Sequence, residues 1–173
     1  MPVRLTPFDG PHPDLDDREL GRRARVIFRA LQLGKSELSI VVTGDAQIRE
    51  LNRAYRKKDR PTDVLAFAMR EGEPCGEAGE LLGDVIVSLE TARKQAHKAG
   101  HDVLSEVTML MTHGVLHLLG WDHETPSKDR RMRGETARLM ELATQTRTPA
   151  RSFGRAKKAG SAPSRTPRRA PRR

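Results

Sequence analysis

The sequence predicts an α/β fold of the α+β type, a compact single domain in which a small mixed sheet packs against about five helices. Three observations carry that expectation. The chain has 173 residues, enough for one domain with a real core. Short β-branched runs alternate with longer segments of helical periodicity. The boundaries between them fall on capping residues and glycines.

Residues 14–33 have acids at the start and apolar residues near helical spacing, with Gly34 as the expected stop. "ELSIVVT", 37–43, alternates and reads as a strand. Residues 45–55 read as a helix with Ile48, Leu51 and Tyr55 on one face. A polar loop, "RKKDRPTD", covers 56–63, and "VLAFAMR", 64–70, is a second strand. Residues 71–80 hold three glycines and Pro74 and read as a mobile turn region. "LGDVIVS", 82–88, is a third strand. Ser88 can cap a helix over 89–99 that ends at Gly100. A helix over 102–119 follows, then a turn over 120–126 and a last helix from Ser127.

Composition limits the function. Cys75 is the one cysteine, so neither an intramolecular disulfide nor a cysteine zinc cage can form. The N-terminal stretch lacks the apolar core of a signal peptide, and no run of 18 apolar residues exists. The expected location is the cytoplasm, with no membrane partner. Net charge is +9, yet residues 151–173 hold nine Lys/Arg and no acid, so residues 1–150 hold 23 of each sign. That tail is also rich in Pro, Gly, Ser and Ala, and too poor in apolar surface to offset the entropy of ordering. The expected division is a folded domain over 1–147 and a disordered basic tail over 148–173. A basic tail suits a polyanion, with RNA first among them.

The chemistry is concentrated in "MTHGVLHLLGWDHETP", 111–126. His113 and His117 are four apart on a helix, so they share one face. Gly120 can take positive φ and turn the chain back, which brings His123 to the same point. Three neutral imidazoles with a fourth position open form the catalytic rather than the structural arrangement for Zn2+. This is a zincin-like metal helix. Asp122 and Glu124 flank the third ligand, and either could accept the free N–H of an imidazole. His97 and His101 are also four apart, but no third ligand follows, and a helix end explains them better. An ion held by three histidines lowers the pKa of water and polarises a phosphoryl or carbonyl oxygen. Peptide hydrolysis usually adds a glutamate directly after the first histidine. Here that residue is Gly114. Glu106 lies about 10 Å back along the helix and leans away, so it is no substitute.

"HGVLHLLGWDH" is similar to the H-G-x-L-H-L-x-G-[YFW]-D-H signature of the YbeY family of bacterial endoribonucleases. "LNRAYRKKDRPTDVLAF", "GELLGDVIVSLETARKQA" and "EVTMLMTHGVLHLLGWDHE" agree with that family in order, over roughly residues 37–145. The resemblance implies one metal ion, usually zinc, on His113, His117 and His123. It implies a hydrolase cutting single-stranded RNA, with roles in 16S rRNA 3′-end maturation and ribosome quality control. Ribosomal RNA and the ribosome or its assembly factors are then the partners. It further implies that Arg56 lines the cleft, where a guanidinium fork can clamp a phosphate. The other reading of Arg56 is an ion pair with Asp59 or Asp63. Asp84 also matches the family, as a cleft residue or as a plain strand carboxylate. Ala66 and Ala68 depart from the serine and proline usual at their positions, which removes a hydroxyl and leaves a free N–H on a strand edge. Two other classes stay open: a metalloprotease, which Gly114 opposes, and a non-catalytic ribosome-assembly factor with a structural metal.

Overall fold

The computed structural model describes residues 3–7, 12–33, 36–69 and 81–145, with side chains for all of these except 3–7 and 81. The turn region expected over 71–80 and the basic tail lie outside the described residues. The elements run β1 (Val3–Pro7), α1 (Asp17–Ala30), β2 (Glu37–Thr43), α2 (Asp45–Arg56), β3 (Val64–Ala68), β4 (Leu81–Ser88), α3 (Leu89–Ala99), α4 (Val103–Leu118) and α5 (Pro126–Thr144).

The sheet order is β1-β2-β4-β3. The pairs β1–β2 and β2–β4 are parallel, and β3 runs antiparallel to β4 along the edge. The sheet is therefore mixed, as expected, but has four strands. β1 was not anticipated. Its five residues "VRLTP" carry two polar positions and end on a proline, so the run is too short to stand out. Between Leu38 and Glu37 the register of β2 on β4 shifts, with Leu82 as the extra residue. Gly83 follows at φ +139°, and a Cβ there would meet Phe67 O at 2.0 Å, so the bulge needs glycine.

Alternation along the strands sends side chains to two faces. On one face Leu38, Ile40, Val42, Val85 and Val87 join residues of α1, α3, α4 and α5 in the main core, around the fully buried Phe28. On the other, Ile86 and Leu65 meet Ile48 of α2, with Phe67 at the margin. α4 is the central helix. Val107, Thr108, Met111, Thr112, Val115 and Leu116 are all buried within it, which is why its pattern is apolar nearly all round.

The caps explain where helices start and stop. Ser88 accepts from Thr91 N and Gly100 closes α3 at φ +75°, both as expected. Asp102 accepts from Ser105 N at the start of α4. Thr125 caps α5, with Pro126 in its first turn. α1 is shorter than the sequence predicts. Asp16 accepts from Glu19 N, so the helix starts at Asp17. Gln32, not Gly34, ends it at φ +60°, with Leu33 N–H donating to Phe28 O and Gln32 N–H to Arg29 O. That is the Schellman pattern, and burying Leu33 against the core compensates for the strained Gln32.

Candidate metal centre and cleft

α4 and the turn after it build the centre. Gly120 adopts φ +81°, Gly120 N–H donates to His117 O, and Trp121 N–H donates to Leu116 O. This stop reverses the chain and carries His123 back to His113 and His117. Ring nitrogens of the three histidines lie within 4.8 Å of one another. The Nε2 atoms of His113 and His117 are 3.1 Å apart. Two neutral imidazoles and a third held this close, with lone pairs converging, suit a cation better than they suit each other.

Electrostatics agree. Burial pushes the His113 pKa below the usual histidine value, and the neighbouring His117 and His123 push the same way. Burial also lowers His117, with His123 next, while a hydrogen bond to the Trp121 backbone partly opposes it. Both rings are thus kept neutral, the form that can ligate. The sequence offers Asp122 or Glu124 as an acceptor for the free N–H of a ligand imidazole, and no such bond forms among the described residues. Asp122 is otherwise engaged: its carboxylate takes Lys128 Nζ at 2.7 Å and Glu124 N–H at 3.1 Å.

The histidines open into a cleft of about 950 Å³. Its walls are the C-terminal end of α2, the following loop, and the edge strand β3. Arg56, Lys58 and Arg60 supply cations, and Asp63 is the one carboxylate among the described lining residues. Asp63 was considered in the sequence only as an ion-pair partner. Here its Oδ1 accepts from Val64 N–H and Thr62 Oγ1, and its Oδ2 from Gln95. It is near enough to His113 to act on its charge.

Arg56 does line the cleft, and Nη2 donates to Ala66 O at 3.2 Å. Neither expected ion pair is present among the described residues. Asp59 instead forms a two-point pair with Arg49, at 2.8 and 3.1 Å. The bond to Ala66 follows from strand geometry. Asp63 O and Met69 N bond to β4, so the backbone groups of Val64, Ala66 and Ala68 face the free edge. Ala66 thus contributes its carbonyl where the sequence reading missed only a hydroxyl, and Ala68 N–H does point outward.

Other candidates fall elsewhere. Asp84 lies on the α2 face opposite Phe67 and is not among the residues that line the cleft. His101 contacts the carboxylate of Glu106, which is 3 % exposed. Glu106 is therefore occupied and remote from the centre. Gly114 packs against Val85 and Val64 of the sheet. Tyr55, expected on the apolar face of α2, is 66 % exposed at the cleft wall.

A mixed four-stranded α+β domain thus carries three converging histidines, a group that could hold a metal ion, beside a cationic cleft. Among the described residues, no helix is long and apolar enough to cross a membrane. The family model described as Endoribonuclease YbeY matches residues 15–144, and the chain belongs to that family. A Geobacter sulfurreducens protein named Endoribonuclease YbeY is 42 % identical over 144 residues, covering 82 % of this chain and 95 % of that one. The protein of the same name from Aquifex aeolicus is 52 % identical over 101 residues, covering 58 % of this chain and 65 % of its own length. The solution structure of TM1509 from Thermotoga maritima superposes with a TM-score of 0.58 at 23 % identity, over 82 % of this chain and 88 % of that one, which shows the shared fold.

Proposed function

We propose that this chain is a single-metal endoribonuclease that cuts single-stranded ribosomal RNA, with Zn2+ on His113, His117 and His123. The observation that carries the reading is the placement of three converging imidazoles in a cleft rimmed by Arg56, Lys58 and Arg60. The family membership supports the activity, and its members' names state it. The expected substrate is the 3′ region of 16S rRNA, in the cytoplasm and on the ribosome or its precursors.

The metal, when bound, supplies a Lewis acid that lowers the pKa of water and stabilises charge on a phosphoryl oxygen. The remaining work falls to the chain. His113 and His117 stay neutral because burial and mutual repulsion hold their pKa values down. Arg56 is anchored by Nη2 on Ala66 O, which leaves the rest of its fork to grip a non-bridging phosphate oxygen. Lys58 and Arg60 draw the polyanion towards the cleft. Asp63 accepts from Val64 N–H, Thr62 and Gln95, which ties β3 and its loop to α3.

A protease reading has one specific feature in its favour, the edge strand β3 beside the histidines. Two edge groups are already capped, however: Val64 N–H by Asp63 and Ala66 C=O by Arg56. An extended peptide adding to that edge loses those ladder bonds. The discriminating experiment gives the metal-loaded protein a single-stranded RNA carrying the 16S 3′ region and, separately, a peptide library, each with a chelator control. Chelator-sensitive cleavage of RNA alone supports the nuclease. Peptide cleavage without RNA cleavage overturns it.

A further inference from the structure

The chain has only six aromatic residues of the Phe, Trp and Tyr types. Two of them, Tyr55 and Phe67, line the cleft. Their ring centroids are 5.0 Å apart and the planes meet at 64°, an edge-to-face contact. Tyr55 is the last-turn residue of α2 directly before Arg56. It continues the apolar face of Ile48 and Leu51, but it is 66 % exposed. Phe67 sits below it on the α2 face of β3, half-buried against the small cluster of Ile48, Leu65 and Ile86. Tyr55 therefore touches Phe67 on one side and leaves most of its surface exposed at the cleft.

The surroundings hold this ring in place. Lys57 takes φ +58°, and its N–H and that of Lys58 both turn back to Asn52 O. The buried Asn52 also donates to Arg60 O at 2.7 Å. The loop after α2 is thus tied down, with Arg56, Lys58 and Arg60 beside the ring and on the cleft. An open aromatic face among cations is the arrangement that single-stranded nucleic-acid sites use: the cations follow phosphates and the ring takes a base. A base within a duplex has its faces covered by its neighbours and is not available for this contact.

We propose that Tyr55, braced by Phe67, is a stacking platform for an unpaired nucleobase of the RNA, and that it sets the preference for single strands. The two faces of β3 then divide the substrate. The base rests on the α2 side, Arg56 grips the backbone at the edge, and the histidines lie on the α4 side. This rests on the nuclease reading above.

The test measures KM for a short single-stranded RNA with the metal-loaded full chain, as wild type, Tyr55→Ala, Tyr55→Leu and Tyr55→Phe. Base–aromatic stacking corresponds to roughly a 5- to 150-fold rise in KM on truncation. The alanine and leucine variants are expected in that range, and Tyr55→Phe recovers wild-type KM because it keeps the ring. A scan of single abasic substitutions in the RNA reads the contact directly. One position raises wild-type KM by a similar factor and has no further effect on Tyr55→Ala. An unchanged KM in Tyr55→Ala, or additive losses at every abasic position, overturns the platform while leaving the nuclease intact. A wild-type protein that cuts no RNA overturns the nuclease reading itself, and the platform with it.

Discussion

Gly114 of α4 lies directly against Val85 of β4: a Cβ at position 114 would stand 2.7 Å from Val85 Cγ1 and 3.3 Å from Val64 Cγ2. The residue after the first histidine is thus a contact between helix and sheet. The sequence presents Gly114 as the loss of a catalytic glutamate. In the fold it is the residue that allows α4 to sit close enough to β3 and β4 for His113 and His117 to reach the cleft.

Gly114→Glu should destabilise the domain by about 3 kcal/mol, since it forces α4 off the sheet and brings a carboxylate against two valines. Gly114→Ala gains helix propensity but overpacks Val85. Combined with Val85→Ala it should show a favourable coupling of at least about 0.5 kcal/mol, because the new methyl fills the space the valine leaves. Urea denaturation of the four proteins measures it. Strict additivity means the contact is not there.

Arg56 is exposed and contributes little to folding, so its substitution should separate activity from stability. Arg56→Ala should lower kcat/KM for RNA by about 100-fold, as loss of a fixed charged donor does elsewhere. Its unfolding free energy should stay within about 0.5 kcal/mol of wild type. Arg56→Lys keeps the charge without the fork and should recover only a small part of the loss. Full activity in the lysine variant would show that charge alone is needed.

Much of this architecture can be read from local chemistry. Ser88, Gly100 and Gly120 are residues whose side chains or backbone freedom mark a helix end by themselves, and they end helices here. The histidine spacing likewise carries its own geometry. What could not be read depends on distant partners. Gln32 and Lys57 take left-handed conformations that their residue types do not favour, because Leu33 and Asn52 hold the chain there. β1 is a strand because β2 offers it an edge. Tyr55 matches an apolar face by spacing, yet the fold leaves it 66 % exposed against Phe67. In the sequence Asp63 is a loop carboxylate offered as an ion-pair partner for Arg56, and its contact with Gln95, 32 residues later, is not legible there.

Asp45 joins α2 to α3. Burial alone would raise its pKa, but hydrogen bonds from Lys94, Ser88 and Thr91 outweigh that and hold it at about 2. A carboxyl with a depressed native pKa stabilises the fold above its unfolded value, near 4, and loses that contribution as pH falls towards 2. Asp45→Asn should therefore cost roughly 1–2 kcal/mol at pH 7, and the difference should shrink through that window. A gap independent of pH down to 2 would mean that the charge of Asp45 is not what matters.

The basic segment 151–173 should act through counterion release. Deleting it should weaken RNA binding and reduce the magnitude of the log K against log salt slope by about 2 or more, if three or more of its nine cations meet phosphates. A slope unchanged by the deletion would leave the segment with no part in binding.

The metal is the centre of the account, and its removal has consequences beyond activity. His113→Ala should abolish both metal content and RNA cleavage. Chelation should lower Tm by roughly 10 °C where free metal had been about 1,000-fold above Kd. His113 and His117 are depressed bases, so metal retention and the stability of the apo form are present above the ordinary histidine pKa and fall as pH drops below it.

Metal-edge X-ray absorption on the loaded protein reads the histidine centre itself. The expected result is one ion per chain with three imidazole nitrogens at about 2.0–2.1 Å and one exchangeable oxygen, and loss of the signal in His113→Ala. A fourth protein ligand closing the site, or an ion still bound at full stoichiometry without His113, would contradict it.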